Sequence, residues 1–326
     1  MLRTALTLSM ATGQGFELRK IRTAAPRPGL RLSHVAAIRA AALACGARFG
    51  GAFDGSPDLR FEPGPVSPGE FRFEQAGAEP AVPLLQMLLV ALSTGPAASR
   101  VQVTGGTHVP SSPTFEYLAR HWAAVMERLG WRMRLRLERA GFHPAGGGEL
   151  HGEVEPWTAA GGLSLATRGA LVELRGVSGS ARLRTGAAEQ QAEAARRRLW
   201  ELRRLEASWE VVALPAESPG AFLMLQAVFE QSRAAFAYIG RRGMAPDVLG
   251  DRAARALIAF LEGEGAVDPF LGDQLAVPLA LAGGGCITTS ELTSRLQETA
   301  AVLGAFGYRA LTSGRVGGPG AVEIGH

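Results

Sequence analysis

Lysine is almost absent from this chain. Lys20 is the single lysine among 326 residues, and arginine supplies the rest of the 34 basic side chains. A site built from several ammonium groups is therefore excluded, and LRKIRT around Lys20 does not resemble the lysine motif of common nucleotidyl ligases. Arginine grips phosphate through a planar fork of donors, so an acidic partner is plausible at the net charge of +4. A bias toward arginine codons explains the ratio equally well. Cysteine is as scarce: Cys45 and Cys286 form no CxxC pair and stand far apart. Both thiols are expected to be buried in a reducing cytoplasm. No apolar run reaches the roughly 18 uncharged residues of a membrane span, so no membrane partner is expected.

Several motifs are missing too. There is no GxxxxGK[ST] phosphate loop, no GxSxG elbow and no HExxH. The six histidines (His34, His108, His121, His143, His151 and His326) include no pair at metal-binding spacing on one helix. No metal site is assigned to protein side chains. With 47% apolar and 20% charged residues, the chain reads as globular, and its length allows roughly two domains.

Three segments share a layout. Those beginning at His34, Phe115 and Glu291 each read as an amphipathic helix ending near a glycine (Gly46, Gly130, Gly307). A strand, a Gly/Pro-rich turn and an alternating strand follow each time. Such recurrence predicts one architecture repeated from α/β units. The opening MLRTALTLSMATG predicts another helix, because Leu2, Leu6 and Met10 recur at four-residue steps. Between the second and third units lies AAEQQAEAARRRLWELRRLE, a strong helix former at 187–206. Strand-like runs at 170–175, 209–214 and 222–229 surround it, and a helix at 251–261 follows. Residues 169–264 are expected to form an inserted smaller α/β domain, leaving 1–168 and 265–326 as the large one.

Five stretches are candidates for a site, each with a plainer alternative. Gly146–Gly148 would admit a phosphate or simply make a turn, and the turn is preferred. Arg22, Arg27 and Arg31 cluster before a helix that Ser33 could cap, as an anion site or a solvated loop. The segment VTGGTHVPSSP, with Pro110, lies on a loop after a strand. Asp273-Gln274 precedes an apolar stretch, as a base or ribose contact or, slightly favoured, as a cap. Finally, Thr288-x-x-Glu291 has the form of a capping box before Leu292, Leu296 and Leu303.

In their order and spacing, LRTALTLSMATG, IRTAAPRPGL, LLQMLLVAL, SRVQVTGGTHVPSSP, GFHPAGGGEL and DPFLGDQLAVPLALAG resemble the RNA 3'-terminal phosphate cyclase family over nearly the whole chain. Any one stretch is weak, but the ordered set is specific. The resemblance implies an α/β (α+β) fold: a large domain of repeated βαβαββ units with a smaller inserted α/β domain. It implies an ATP-dependent reaction, with a divalent metal such as magnesium or manganese. An RNA 3'-phosphate becomes a 2',3'-cyclic phosphate through histidine-AMP and RNA-AMP intermediates. Carried onto matching positions, it implies nucleotide contacts at Gln86, Pro110, Phe270, Leu271, Gly272, Asp273 and Gln274. It implies phosphate or RNA contacts at Arg3, Arg22, Arg27 and His34.

Two departures stand out. The family's nucleophilic histidine falls in an SxHxxTN-like segment, which aligns with Thr288–Ser294 and places Ser290 at the histidine. A serine there is expected to be inactive. Histidine-AMP is a phosphoramidate whose protonated imidazole leaves readily, whereas serine-AMP is a diester with an alkoxide leaving group. A barrier higher by only ~4 kcal/mol slows a step about a thousandfold. The family also opens with a strand and a GEGGGQ-like run, whereas this chain begins at Met1-Leu2-Arg3, inside that motif. Either a strand and an acidic residue are lost or the start codon is set too late.

Three functions remain open at this point. One is an active cyclase with a substitute nucleophile, for which His143 and His108 are the candidates. Another is a silent relative that binds RNA, nucleotide or a protein partner in RNA processing. The last is a different transferase on the similar repeat architecture of the enolpyruvyl transferases, ranked lowest for want of lysines at an anion site.

Overall fold

The computed structural model describes residues 1–325, so His326 lies outside the described residues. Eleven residues after Met1 start the fold as helix α1 (Leu2–Thr12), closed by Gly13 in the left-handed conformation (φ 72°). Leu6 and Met10 are buried at the expected spacing, together with Ala5 and Leu8. Strand β1 (Phe16–Leu18), helix α2 (Leu32–Cys45), β2 (Arg48–Gly50) and β3 (Leu59–Glu62) follow, giving a sheet of order β1-β3-β2.

The second unit is complete. It runs β4 (Glu70–Glu74), α3 (Val82–Leu92), β5 (Ser99–Gly105), a π-helical turn (Tyr117–Trp122) leading into α4 (Ala123–Arg128), β6 (Met133–Arg139) and β7 (Gly148–Val154). Its sheet has the order β4-β5-β7-β6, with only β4 and β5 parallel. The third unit opens with β8 (Leu163–Leu165), is interrupted, and resumes with α7 (Pro269–Leu281), β13 (Gly285–Thr289), α8 (Ser294–Ala305), β14 (Arg309–Gly314) and β15 (Gly320–Gly325). Here the order is β8-β13-β15-β14, again with only the first pair parallel. The two orders superpose strand for strand, and β1-β3-β2 matches their last three strands. The βαβαββ repeat is thus present, with its leading strand lacking in the first unit among the described residues.

The interruption supplies the fourth sheet. Strands β9 (Leu171–Ala181), β10 (Ser208–Ala213), β11 (Gly220–Phe229) and β12 (Arg233–Ile239) pair in the order β10-β9-β11-β12. Helices α5 (Ala187–Arg203) and α6 (Pro246–Glu262) cover one face around Leu174, Leu199, Leu223, Leu225 and Leu257. The helices approach closely at Gly250, where an added Cβ would lie 2.1 Å from the Gln191 carbonyl oxygen. The three repeat units share a different core that includes Leu85, Trp122, Leu275, Ile287 and Leu296.

Sequence expectations fail mainly at helix starts and edges. Helix α6 begins five residues before the expected 251, because Pro246 supplies a fixed φ at its first position. Ser33 lies inside α2; the cap is Arg31, whose N–H donates to His34 Nδ1 at 3.1 Å. Asp273 and Gln274 are not caps but lie within α7, which Asp268 caps by accepting from the N–H groups of Phe270 and Leu271. Thr288 and Thr289 belong to β13, and α8 is capped by Thr293. The Thr288 hydroxyl instead donates to the Ala166 carbonyl and accepts from the Ala266 N–H, both at 2.9 Å. Strand pairing with β8 and β15 overrides the local capping pattern. Cys45 is buried as expected, whereas Cys286 is only partly covered. No helix of the described residues is long and apolar enough to cross a membrane.

Candidate functional site

A cleft of about 1330 Å³ opens beside the fourth sheet. One wall comes from the loop after β5 (Val109–Thr114) and from Phe142–Pro144. A second comes from the end of β12, the following loop and the start of α6. Phe270 and Gln274 of α7 and Arg295 of α8 complete it. Phe270 and Gln274 are four residues apart and so share one helical face.

That geometry divides the residues assigned to the nucleotide. Pro110, Phe270 and Gln274 line the cleft. Gln86 reaches it indirectly: its Nε2 donates to Gln274 Oε1 at 2.8 Å, fixing the second amide. Leu271 and Gly272 are buried on the other side of α7, since five consecutive helical residues cannot face one way. Asp273 is half-buried and accepts from the Thr293 hydroxyl. Burial pushes its carboxyl up to about 6, against the opposing pull of the Thr293 hydroxyl and the Arg295 charge.

The residues assigned to phosphate gather at the amino ends of α1 and α2. His34 sits among Arg3, Arg22 and Arg31; burial, followed by those three charges, holds its imidazole down at about 4. It is neutral near pH 7, and its Nδ1 is occupied as an acceptor. Arg22 donates to the carbonyls of Arg27 (3.0 Å) and Gly29 (3.2 Å), so part of its fork closes its own loop. Arg27 contributes that carbonyl and exposes its side chain. Arg295 is an electrostatic neighbour of both Arg3 and the Met1 amino group, which links this cluster to the cleft.

Ser290 follows β13 and its N–H donates to the Val267 carbonyl at 3.1 Å. It is not among the residues lining the cleft; the α8 side chain that lines it is Arg295, five positions later. The two candidate substitute histidines also separate. His108 is fully buried, bonded to Glu116 at 2.7 Å and Thr107 at 2.8 Å, and packed against the rings of Phe142 and Phe222. His143 is exposed on the cleft wall, and it is the one imidazole among the lining residues. Gly146–Gly148 form the β6–β7 turn, where a Cβ on Gly146 would lie 1.8 Å from the Gly77 oxygen.

Charge is the feature that local reading missed. Arg241, Arg242, Arg252 and Arg295 line the cleft, and no aspartate or glutamate does. None of the four makes an ion pair among the described residues. The available signal was the Gly240-Arg241-Arg242-Gly243 sequence, paired bases between two glycines just before Pro246. Low-dielectric walls of one sign focus the field and concentrate anions.

Beneath the cleft floor, Asp268 is fully buried. Its carboxylate accepts from Tyr117 Oη (2.7 Å), His121 Nε2 (2.8 Å) and the Ala235 N–H (3.1 Å) besides its two cap bonds. His121 Nδ1 in turn faces Gln226 Nε2 at 3.1 Å. Three elements that position the walls, the π-helical turn, the fourth sheet and α7, thus meet at one carboxylate.

Comparison with known proteins agrees with this architecture. A family model described as RNA 3'-terminal phosphate cyclase matches residues 1–311. The chain is 40% identical over 311 residues to an RNA 3'-terminal phosphate cyclase of Ralstonia nicotianae, covering 94% of this chain and 87% of that one. It is 40% identical over 306 residues to the protein so named in Pseudomonas fluorescens, covering 94% and 89%. For that of Koribacter versatilis the identity is 35% over 317 residues, covering 94% and 86%. Such agreement along nearly the full length of both partners leaves one assignment: the chain belongs to the RNA 3'-terminal phosphate cyclase family.

Proposed function

We propose that the cleft binds ATP and an RNA 3'-phosphate end and carries out the family's reaction, ATP-dependent conversion of that end to a 2',3'-cyclic phosphate. One observation carries this reading: four arginines without ion-pair partners line the same cleft as Pro110, Phe270 and Gln274, with no carboxylate among them. Pro110 and the exposed Phe270 ring offer apolar surface to a base. The Gln274 amide, oriented by Gln86, offers it hydrogen bonds. Arg295 and, beyond it, Arg3 offer charge to the phosphates. These residues fit a nucleoside triphosphate. Among the described residues no group of three His, Cys, Asp or Glu side chains is placed to hold a metal ion. A divalent metal such as magnesium would arrive on the triphosphate, as it does in many phosphoryl-transfer sites. We also propose that 169–264 acts as a unit forming the second wall.

The reaction needs an acceptor for the adenylyl group. His143 is exposed on the cleft wall and fills that role in this reading. Attack of its ring nitrogen on the α-phosphate forms a P–N bond, and diphosphate leaves. The RNA 3'-phosphate then takes the adenylyl group. The neighbouring 2'-hydroxyl closes the ring and releases AMP.

A second reading is favoured by a separate observation: α8 presents Arg295 to the cleft rather than an imidazole. On that reading the chain is a silent relative that holds RNA and nucleotide without turnover. Incubation with α-labelled ATP and magnesium, then denaturing electrophoresis, separates the two. An acid-labile labelled band that disappears in His143→Ala supports the active enzyme. ATP binding without label supports the silent relative, and absence of ATP binding overturns both.

A further inference from the structure

The cleft is larger than one small ligand requires. Pockets for such ligands run from about 300 to 1,000 Å³, against about 1330 Å³ here. Its basic residues fall on two sides. Arg295 stands with Phe270 and Gln274, whereas Arg241, Arg242 and Arg252 all come from the β12–α6 connection and the first turns of α6. Leu249 and Arg252, three residues apart, share a helical face, with Leu249 buried and Arg252 exposed in the cleft.

We propose that Arg241, Arg242 and Arg252 form a track for the phosphate backbone of single-stranded RNA, delivering its 3' end to the nucleotide held on the opposite wall. This rests on the reading above and adds the site of the second substrate. Arg252 lies over the Tyr238 ring at 4.6 Å. That contact fixes the guanidinium without neutralising it, so its donors stay available. Arg241 and Arg242 are exposed in a loop bounded by Gly240 and Gly243. Ser218, just before β11, also lines the cleft, and its Oγ is buried without a hydrogen-bond partner. Neighbouring Arg255 and Arg198 are instead paired with Asp251, and neither lines the cleft. Of the two arginines of α6, only the one that lines the cleft, Arg252, is unpaired.

The test is binding of a fluorescent single-stranded RNA ending in a 3'-phosphate, measured across a salt series. The proteins are wild type, R241Q/R242Q, R252Q and the paired control R255Q, with ATP affinity measured on each. Losing two phosphate contacts should weaken RNA binding at least tenfold and reduce the salt slope by about 1.4, at ~0.7 per contact for single strands. R252Q should weaken it by a smaller factor. R255Q should leave RNA binding unchanged, and all variants should keep wild-type ATP affinity. Wild-type RNA affinity and slope in R241Q/R242Q, or an equal loss in R255Q, overturn the track while leaving the proposed function standing. Competition by polyglutamate as effective as by unlabelled RNA overturns it in favour of an acidic protein partner. A wild-type protein that binds neither RNA nor ATP refutes the underlying reading instead.

Discussion

Gln86 and Gln274 lie 188 residues apart in sequence, yet their side-chain amides meet at 2.8 Å. The bond joins α3 of the second repeat to α7 of the third and holds the amide of Gln274, which lines the cleft. An orienting bond of this kind contributes about 0.5–1.5 kcal/mol. Gln86→Leu should therefore weaken ATP binding roughly 2- to 13-fold by calorimetry, while nucleotide-free RNA binding stays unchanged.

Asp268 ties together the helix that carries Phe270 and the elements facing it. Asp268→Ala leaves His121, Tyr117 and three backbone donors without their acceptor. Leaving a buried donor unsatisfied costs about 1–3 kcal/mol, so losing this acceptor removes a large part of the roughly 5–15 kcal/mol that holds a domain folded. Urea denaturation should show that loss for Asp268→Ala and about 1 kcal/mol for Tyr117→Phe.

Much of the fold was legible in the residues, and the reasons for the failures are physical. Gly46, Gly130 and Gly307 all take left-handed φ values at or just past helix ends (61°, 93° and 88°), so the repeat could be read from them. The start of α8 could not be read in the same way. Thr288 and Thr293 are both plausible caps, and the choice depends on pairing with β8, more than a hundred residues earlier. Thr293 has the better internal spacing, because Leu296, Ala300 and Leu303 are the apolar residues that α8 buries, while Leu292 precedes the helix. Five residues likewise separate Ser290, which the family alignment places at the histidine, from Arg295, the α8 residue that lines the cleft. The basic wall is marked locally only by Gly240-Arg241-Arg242-Gly243, because unpaired charge is a property of the whole cleft.

His34 should leave a trace in the acid dependence of stability. Its imidazole titrates near 4 in the fold against 6.5 when free, so the unfolded chain binds more protons between those values. Its contribution is complete above pH 6.5 and fades as pH falls toward 4, by on the order of 2–3 kcal/mol. His34→Gln keeps an acceptor for the Arg31 N–H but cannot titrate. Relative to wild type, the variant should retain more stability on acidification across that window.

Asp273 should act with the opposite sign. Its carboxyl titrates near 6 in the fold against 3.8 when free, so the folded chain binds the extra proton between those values. This group therefore costs stability as pH rises from about 4 to about 6. Asp273→Asn should remove that decline, seen as a smaller drop in melting temperature across the interval. Because the two groups oppose each other, their contributions partly cancel in wild type, and the single variants separate them.

The most direct test of the account is calorimetric titration of magnesium-ATP into wild type, Phe270→Ala and Arg295→Gln. Loss of the base platform or of a charged donor, the latter worth about 1.5–3 kcal/mol, should weaken binding at least tenfold in each folded variant. Equal ATP affinity in all three proteins would contradict the placement of the nucleotide on the α7–α8 wall.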